Sequence, residues 1–296
     1  MSNSNGYKHP EVLVETNWLA SHATDAGLRL IEVDVDTTAY GQGHILGAVG
    51  WNWQTELQDS LRRTLASKPQ FERLTSSAGI TPSTTVILYG DNNNWFAAWA
   101  FWQFKYYGHK DVRLLNGGRK KWVAEGRPLV QDIPSYTPTT YQTLEPDETL
   151  RAYRDQVFDV LTRPENYNLV DVRSVDEFTG KIIAPPGLNE TAQRAGHIPH
   201  AKNIPWAQTV KEDGSFKSVE DLQALYGAQD VSVAKDTIAY CRIGERSSHT
   251  WFVLKYLLGY KNVKNYDGSW TEWGNLIEAP IEKTLTFASP VAEVAH

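Results

Sequence analysis

A single thiol is the most reactive side chain of this sequence. Cys241 is the only cysteine in 296 residues, and it lies in the stretch TIAYCRIGERSSHTWFVLKYLLG, residues 237–259. A strand-length apolar run, TIAY, precedes the cysteine, and a helical pattern follows it. In an open parallel sheet, ligands bind where a strand ends and leads into a helix. The sequence therefore predicts that Cys241 lies at the functional edge of a sheet.

The residues after the thiol predict an anion-binding loop. The segment CRIGERS would turn its backbone N–H groups toward the sulfur, above the positive end of the following helix. Arg242 and Arg246 add two positive side chains at the rim, and Glu245 partly offsets them. Such surroundings favour the thiolate near neutral pH, so we predict that Cys241 is a nucleophile.

Other interpretations of this cysteine differ in the partners that they require. An inert buried cysteine would act as a small hydrophobe. A phosphatase loop would place arginine six residues after the cysteine, whereas this chain has Ser247 there and Arg246 one residue earlier. The shorter loop fits a sulfane sulfur better than a phosphoryl group. A cysteine protease or glutaminase needs a positioned histidine base, and the sequence leaves open whether His249 faces the thiol.

The elements that must position the loop occur twice in the chain. Residues 86–122 align without a gap on residues 237–273, and the order of the matched blocks is the same in both halves. The matched pairs are Ile87/Ile238, Tyr89/Tyr240, Phe101/Phe252, Gly108/Gly259, Lys110/Lys261, Val112/Val263, Gly117/Gly268 and Trp122/Trp273. Upstream, VDVD (33–36) matches VDVR (170–173), and GHILGAVGWNW (43–53) matches GHIPHAKNIPW (196–206). We therefore predict a duplicated domain.

The boundaries of the duplication follow from composition and from the matched blocks. We place an N-terminal domain at 1–130, a linker rich in proline and threonine at 131–150, a C-terminal domain at 151–280 and a tail at 281–296. The second copy carries an insertion, TGKIIAPPGLNETAQRA, between its VDVR and GHI blocks.

Each copy reads as an α/β domain. Short runs that are apolar on both faces alternate with helical patterns, which is typical of a parallel sheet flanked by helices on both faces. The helices after TVILY and TIAY should stop at Gly108 and Gly259, each suited to a left-handed position after a helix. Ser247 and Ser248 are candidate N-caps of the second of these helices.

A comparison of the two copies assigns the chemistry to one of them. Gly90 occupies the position of Cys241 in the first copy, so we predict that this copy is catalytically inactive. We expect Cys241→Ser to abolish the chemistry and Gly90→Ala to leave it nearly intact. His197 recurs as His44, which indicates a structural role.

Asp171 is also predicted to support the fold, because it recurs as Asp34 in the same alignment.

Composition excludes several classes of function. The formal net charge of −6 argues against a nucleic-acid partner, because no basic stripe can displace counterions from phosphates. No apolar run approaches the roughly 18 residues of a membrane span. One cysteine can form neither an internal disulfide nor a multi-cysteine metal site. We predict a soluble cytoplasmic protein with no membrane contact, no cofactor and no metal.

The motifs together resemble tandem rhodanese domains, over nearly the whole chain. CRIGERSS, VDVRS.DEF, AGHIPHAKNIPW and YDGSWTEW occur in family order, and the chain is most similar to bacterial two-domain thiosulfate sulfurtransferases. The resemblance implies an inactive first domain and a catalytic second domain. It also implies that the Cys241 thiolate takes the outer sulfur of thiosulfate, releases sulfite and passes the sulfur from a persulfide to cyanide or a thiol. Ping-pong kinetics would follow.

The resemblance assigns roles to the loop residues Cys241, Arg242, Ile243, Gly244, Glu245, Arg246 and Ser247. Cys241 is the expected nucleophile, Arg242 and Arg246 are expected to bind the dianion, and Gly244 permits the tight turn. Arg173 is either a substrate cation or an ion-pair partner of Glu177 or Asp171.

The chain departs from the vertebrate-type enzyme in two places. That enzyme has CRKGVT, with lysine where this chain has Ile243, and arginine where this chain has Glu177. Arg246 is the expected substitute for the lost contacts. Mercaptopyruvate sulfurtransferases carry CGSGVT, and Arg242 argues against that substrate. A 3-mercaptopyruvate sulfurtransferase and a protein-fed persulfide carrier in a sulfur relay remain the alternatives.

Overall fold

Two parallel sheets frame the chain, which the computed structural model describes over residues 5–187 and 191–283. The first sheet contains β1 (Leu13–Val14), β2 (Leu28–Glu32), β3 (Ala48–Gly50), β4 (Thr85–Tyr89) and β5 (Val112–Leu115). The second contains β6 (Arg151–Ala152), β7 (Tyr167–Asp171), β8 (Lys202–Asn203), β9 (Asp236–Tyr240) and β10 (Val263–Tyr266). The strand orders are β1-β5-β4-β2-β3 and β6-β10-β9-β7-β8. The two domains therefore share one topology.

Helices cover both faces of each sheet, which explains why the central strands are apolar on both sides. In the first domain they are α1 (Thr16–His22), α2 (Ala39–Gln42), α3 (Lys68–Ser77), α4 (Asp91–Tyr106) and α5 (Gly118–Ala124). In the second domain they are α6 (Arg154–Thr162), α7 (Val175–Phe178), α8 (Val219–Gly227), α9 (Glu245–Phe252) and α10 (Ser269–Trp273). The predicted fold class, two parallel-sheet α/β domains in tandem, is confirmed.

The sheet register corrects one match between the two copies. Glu32 pairs with Tyr89 across β2 and β4, and Asp171 pairs with Tyr240 across β7 and β9. Because the two tyrosines correspond in the ungapped alignment, Glu32 is the counterpart of Asp171. The predicted match of Asp171 to Asp34 is wrong by two residues, since the repeated Val-Asp letters of the first copy let the alignment slip.

The helix ends follow glycine positions, with one correction. Gly108 follows α4 with φ of 79°, and Gly259 follows a π-helical turn (Val253–Leu257) that continues α9, with φ of 75°, as the sequence predicted. The helix after Cys241 begins at Glu245, and its N-cap is Gly244 with φ of 98°. Ser247 and Ser248 therefore lie inside the first turn, so the prediction that they cap the helix is wrong.

The two histidines of the repeated Gly-His-Ile motif make matching contacts. His44 Nδ1 lies 3.0 Å from the Tyr40 carbonyl and stacks on that ring, with centroids 3.9 Å apart. His197 Nδ1 lies 2.8 Å from the Phe178 carbonyl and stacks on that ring at 3.6 Å. Each ring thus ties the segment after a helix to that helix, which is the structural role expected from the sequence.

The domain boundaries stay a prediction, and one described segment bears on them. Glu282 exchanges two backbone hydrogen bonds of 2.9 Å with His197, as Val130 does at 2.8 Å with His44. The start of the predicted tail therefore pairs with the second domain. Residues 284–296 lie outside the described residues.

The domains meet through α4 and α9, the helices that follow the two central strands. Phe101 of α4 packs against Trp251, Phe252 and Tyr256, with ring centroids 6.3, 4.9 and 5.3 Å away. Buried side chains of both domains form one continuous hydrophobic cluster here. Burial of aromatic surface on this scale holds the first domain firmly against the loop that contains the thiol.

Candidate active site

Cys241 follows the last residue of β9, the central strand of the second sheet, and its side chain is fully buried. Its backbone N–H donates to Ser269 Oγ at 3.1 Å, and its carbonyl accepts from the Trp270 N–H at 3.1 Å. The turn after β10 therefore fixes the backbone that carries the sulfur.

Two groups of the loop approach the sulfur. The Gly244 N–H donates to Cys241 Sγ at 3.1 Å, which stabilises negative charge on the sulfur. Glu245 Oε2 lies 3.6 Å from Sγ on the first residue of α9. Gly244 is needed at this turn, because a Cβ there would lie 2.6 Å from the Asp267 Cα.

Arg246, which the sequence placed at the positive rim of the loop, is buried and paired. Its Nη1 and Nη2 donate to the two carboxylate oxygens of Glu177, each at 2.9 Å. Burial alone would raise the pKa of Glu177, but the hydrogen bonds and charge of Arg246 outweigh it and lower that pKa. Arg242 is also buried, with Nη2 3.7 Å from Glu245 Oε1.

Arg173 forms an ion pair with Asp171, which is one of the roles that the sequence left open for it. Its guanidinium forms a bidentate contact with Asp171, with Nη2 at 2.6 Å from Oδ2, and also donates to the Gly196 carbonyl at 2.8 Å. The guanidinium lies 4.5 Å from the centre of the Trp270 ring. These contacts occupy Arg173 in joining β7 to the turn that holds Cys241.

The other predicted loop residues have structural partners. Ser247 Oγ lies 2.6 Å from Asn265 Oδ1 and so ties α9 to β10. Ile243 is buried, and its carbonyl accepts from Arg63 Nη2 at 3.4 Å. These bonds fix the loop on both sides of Gly244.

His249 is buried between Trp206 and Phe216, with ring centroids 5.2 and 5.0 Å away. Burial lowers its pKa to about 3. The ring is therefore neutral at physiological pH and packs as part of the aromatic core rather than as a base for the thiol.

Residues of the first domain complete the surroundings of the loop. Trp95 lies under the Arg246 guanidinium at 5.6 Å, and the Trp99 ring comes within 3.1 Å of where a Gly244 Cβ would be. Arg63 adopts φ of 56°, so a strained turn aims it at the Ile243 carbonyl. The first domain, which has Gly90 in place of the cysteine, thus forms one wall of the site.

A cavity of about 600 Å³ opens between the domains beside this loop. Arg62 and Arg63 line it from the first domain, and Arg151 and Thr271 line it from the second. The Thr271 N–H donates to the Arg242 carbonyl at 2.9 Å, so the cavity wall is continuous with the loop.

The corresponding loop of the first domain has a different backbone. Asn92, Asn93 and Asn94 all have positive φ, and Asn94 Oδ1 accepts from the Gly90 N–H at 3.1 Å. A Cβ at Gly90 would lie 2.1 Å from the Val33 carbonyl oxygen. The first copy therefore cannot accept a cysteine without rebuilding its loop.

Several residues of this site escaped prediction from the sequence. Ser269 is the exception that the sequence could have indicated, because it aligns with Gly118 in the repeated turn. Both residues adopt positive φ there. Arg63, Trp95 and Trp99 carried no local signal, since only the packing of the domains brings them to the loop.

Two further findings concern the described residues only. Within residues 5–187 and 191–283, no three His, Cys, Asp or Glu side chains are placed to share a metal ion. No helix in the same ranges combines the length and apolar character needed to cross a bilayer.

Relatives of the chain are similar to it over nearly their whole length. A protein of Saccharopolyspora erythraea named "Putative thiosulfate sulfurtransferase" is 57% identical, over 92% of this chain and 96% of its own length. The sulfur carrier protein TtuD of Thermus thermophilus is 55% identical, over 94% and 99%.

Solved structures share the fold of this chain over most of its length. The anaerobic ergothioneine biosynthesis enzyme of Chlorobium limicola, solved with trimethyl histidine, superposes with a TM-score of 0.83 at 25% identity, over 94% of this chain and 72% of that one. YnjE gives a TM-score of 0.82 at 27% identity, over 94% and 69%. The rhodanese-like domain family matches residues 15–125 and 157–276. The chain therefore belongs to the rhodanese family and carries its domain twice.

Proposed function

We propose that this protein is a thiosulfate sulfurtransferase that carries sulfane sulfur on Cys241. The observation that carries the proposal is the 3.1 Å hydrogen bond from the Gly244 N–H to Cys241 Sγ, at the carboxyl end of a central strand. The loop of the first domain contains no sulfur, because Gly90 stands in place of the cysteine. The names of the relatives support sulfur transfer as the reaction class.

The reaction proceeds in two displacements. The Cys241 thiolate attacks the outer sulfur of thiosulfate, the S–S bond of thiosulfate breaks, and sulfite leaves with the electron pair. A persulfide remains on Cys241, stabilised by the Gly244 N–H. Cyanide or a thiolate then attacks the outer persulfide sulfur and regenerates the Cys241 thiolate.

The charges around the loop suit a small anionic donor. Arg242 and Arg246 pair with Glu245 and Glu177, and the charge of Arg63 from the first domain also acts on Glu245, so three arginines face two carboxylates around the loop. The excess of positive charge favours a dianion near a thiolate. Since Cys241 is the only cysteine of the chain, the persulfide must pass its sulfur to an external acceptor.

A second candidate is a persulfide carrier that another protein loads or unloads. The name of TtuD, a relative of 55% identity, describes a sulfur carrier. The cavity between the domains, with Arg62 and Arg63 on its wall, adjoins the loop through Thr271 and offers a partner a place to dock beside it. In this candidate the chemistry on Cys241 is the same, and only the donor or the acceptor differs.

Intact-protein mass spectrometry tests the proposal. The chain is mixed with thiosulfate or with 3-mercaptopyruvate, and a gain of about 32 Da, one sulfur atom, reports the persulfide. We expect a fast gain with thiosulfate, a slow gain with mercaptopyruvate and none in Cys241→Ser. Faster loading from mercaptopyruvate would establish that substrate instead. Loading from neither would overturn the proposal in favour of protein-fed transfer.

A further inference from the structure

A carboxylate lies in contact with the thiol. Glu245 Oε2 lies 3.6 Å from Cys241 Sγ, and the exposed fractions of the two residues are 1% and 0%. The proposed function needs negative charge on the sulfur, and a second negative charge at this distance opposes it. A buried carboxylate at this place therefore does not serve to stabilise the thiolate by its charge, and it calls for another role.

Burial and three arginines act in opposite directions on the pKa of the Glu245 carboxyl. Burial raises the pKa of its carboxyl, and the charges of Arg242, Arg246 and Arg63 oppose that rise. Its Oε1 has no hydrogen-bond partner among the described residues, and Arg242 Nη2 stays 3.7 Å away. Cys241 and Glu245 lie in contact and out of water, so ionising both would place two negative charges side by side. The state in which the pair keeps one proton is therefore favoured.

The first domain supplies an internal comparison. Asn94 corresponds to Glu245 in the ungapped alignment, as Gly90 corresponds to Cys241. The Asn94 amide accepts from the Gly90 N–H and donates to the Leu115 carbonyl at 2.7 Å. Without a sulfur beside it, this position holds a neutral side chain that serves the backbone. The ionisable side chain accompanies the thiol.

We propose that Glu245 is a catalytic acid and base that exchanges one proton with Cys241 during each cycle. The proposal rests on the proposed sulfur transfer, and it deepens the description of the same site. It assigns to a loop carboxylate the proton transfer that cysteine proteases obtain from histidine. His249 does not fit that role, because it packs between Trp206 and Phe216 and burial lowers its pKa to about 3, which makes it a weak base.

The proton balance closes over the cycle. In the resting pair Cys241 is a thiol and Glu245 a carboxylate. The proton moves from Sγ to Oε2, the thiolate attacks the donor, and the persulfide forms beside a protonated Glu245. When an acceptor thiolate takes the outer sulfur, the Sγ–S bond breaks and its electron pair goes to Sγ. Glu245 then returns the proton to Sγ, which restores the resting pair.

The pH dependence of Cys241 alkylation tests the shared proton without any sulfur donor. Iodoacetamide reacts with the thiolate, so its rate follows the thiolate fraction. We expect two steps in the wild-type profile, because the first ionisation of the pair leaves some thiolate beside a protonated carboxyl and the second ionises both groups. Glu245→Gln should show one step. A single step in the wild-type protein overturns the proposal, whatever the variant does.

A single-turnover assay tests the acid role. Loading by thiosulfate and discharge to a thiol are followed separately by intact mass. We expect Glu245→Gln to load at least as fast as the wild type, because the like charge is gone, and to discharge about 100-fold more slowly without its acid. Equal discharge rates overturn the acid role.

A control variant and two outcome patterns separate this proposal from the proposed function. Asp176→Asn removes a carboxylate that pairs with Lys181 at 3.0 Å and contacts neither the sulfur nor Arg246, and it should keep the two-step alkylation profile. If the wild-type profile has two steps but thiosulfate adds no sulfur, Cys241 and Glu245 share a proton, but thiosulfate is not the donor. If thiosulfate loads Cys241 but the profile has one step, only the role of Glu245 falls.

Discussion

Arg246 and Glu177 form a buried bidentate ion pair, with two N–O distances of 2.9 Å. The pair joins α9, which follows the thiol, to α7, which follows the neighbouring strand β7. Glu177 also accepts from the Ser174 N–H at 3.1 Å, so the pair rests on a capped helix start. The residue expected to bind substrate therefore also anchors the loop to the rest of the domain.

Glu177→Gln should destabilise the fold, because it leaves the buried Arg246 charge without its partner. We expect a loss of about 3 kcal/mol in the free energy of unfolding, measured by urea denaturation. Asp176→Asn removes the same charge one residue earlier, from a pair with Lys181 whose side chains are 48% and 71% exposed, and it should cost below about 0.5 kcal/mol. Equal losses would mean that the buried pair does not anchor the loop.

Gly244→Ala should disrupt the loop around the sulfur. The new Cβ would meet the Asp267 backbone at 2.6 Å, and φ of 98° is costly for alanine. We expect a loss of about 3 kcal/mol and at least tenfold slower alkylation of Cys241. Gly126→Ala is the matched control, with φ of 69° and open space, and should cost about 1 kcal/mol. Alkylation at the wild-type rate would show that the turn does not position the Gly244 N–H.

Gly90→Ala should cost stability while leaving the sulfur transfer nearly intact. A Cβ there would lie 2.1 Å from the Val33 carbonyl oxygen, so the first sheet must shift. We expect a loss of about 2 kcal/mol, measured by urea denaturation. The folded variant should still take up one sulfur per chain in the mass assay. A loading defect in fully folded protein would mean that the first domain takes part in the transfer.

His249→Phe should flatten the acid limb of the stability profile. The pKa of His249 is about 3 in the folded chain and ordinarily about 6.5, so only the unfolded chain binds a proton between those values. The stability from the neutral ring is complete above pH 6.5 and is lost as the pH falls toward 3. Its removal should reduce the slope of unfolding free energy by up to about 1.4 kcal/mol per pH unit. An unchanged slope in His249→Phe would contradict the neutral, buried state of this ring.

Asp34→Asn should stabilise the first domain at alkaline pH. Burial and the neighbouring Glu32 raise the pKa of Asp34 to about 9, so the folded chain keeps a proton that the unfolded chain has released. The stability from this proton is complete below pH 3.8 and is lost as the pH rises toward 9. The amide can still accept from the Asp91 N–H. We expect the melting temperature of the variant to exceed that of the wild type by more at pH 8 than at pH 5. An equal difference at the two pH values would refute the raised pKa of Asp34.

Local patterns in the sequence determined the fold class, the duplication and the place of the thiol. Apolar runs of strand length, separated by helical segments, specify parallel sheets because their periodicity depends on near neighbours in the chain. The turn at Gly244 and the helix ends at Gly108 and Gly259 were also predictable, since a left-handed backbone favours glycine wherever it occurs. The contrast between Gly90 and Cys241 needed only the alignment of one half on the other.

Only the tertiary structure decided what each charged side chain does. Whether Arg246 faced solvent or Glu177 depended on how α7 and α9 pack, which no local pattern encodes. The match of Asp171 to Glu32 required the strand register, because the letters favour the wrong alignment: VDVR matches VDVD (33–36) at three positions and IEVD (31–34) at one. Arg63 reaches the Ile243 carbonyl across 180 residues of chain, through the domain interface. Ion pairs and interdomain contacts arise from the packing of distant segments, so the sequence named the residues and the fold chose their partners.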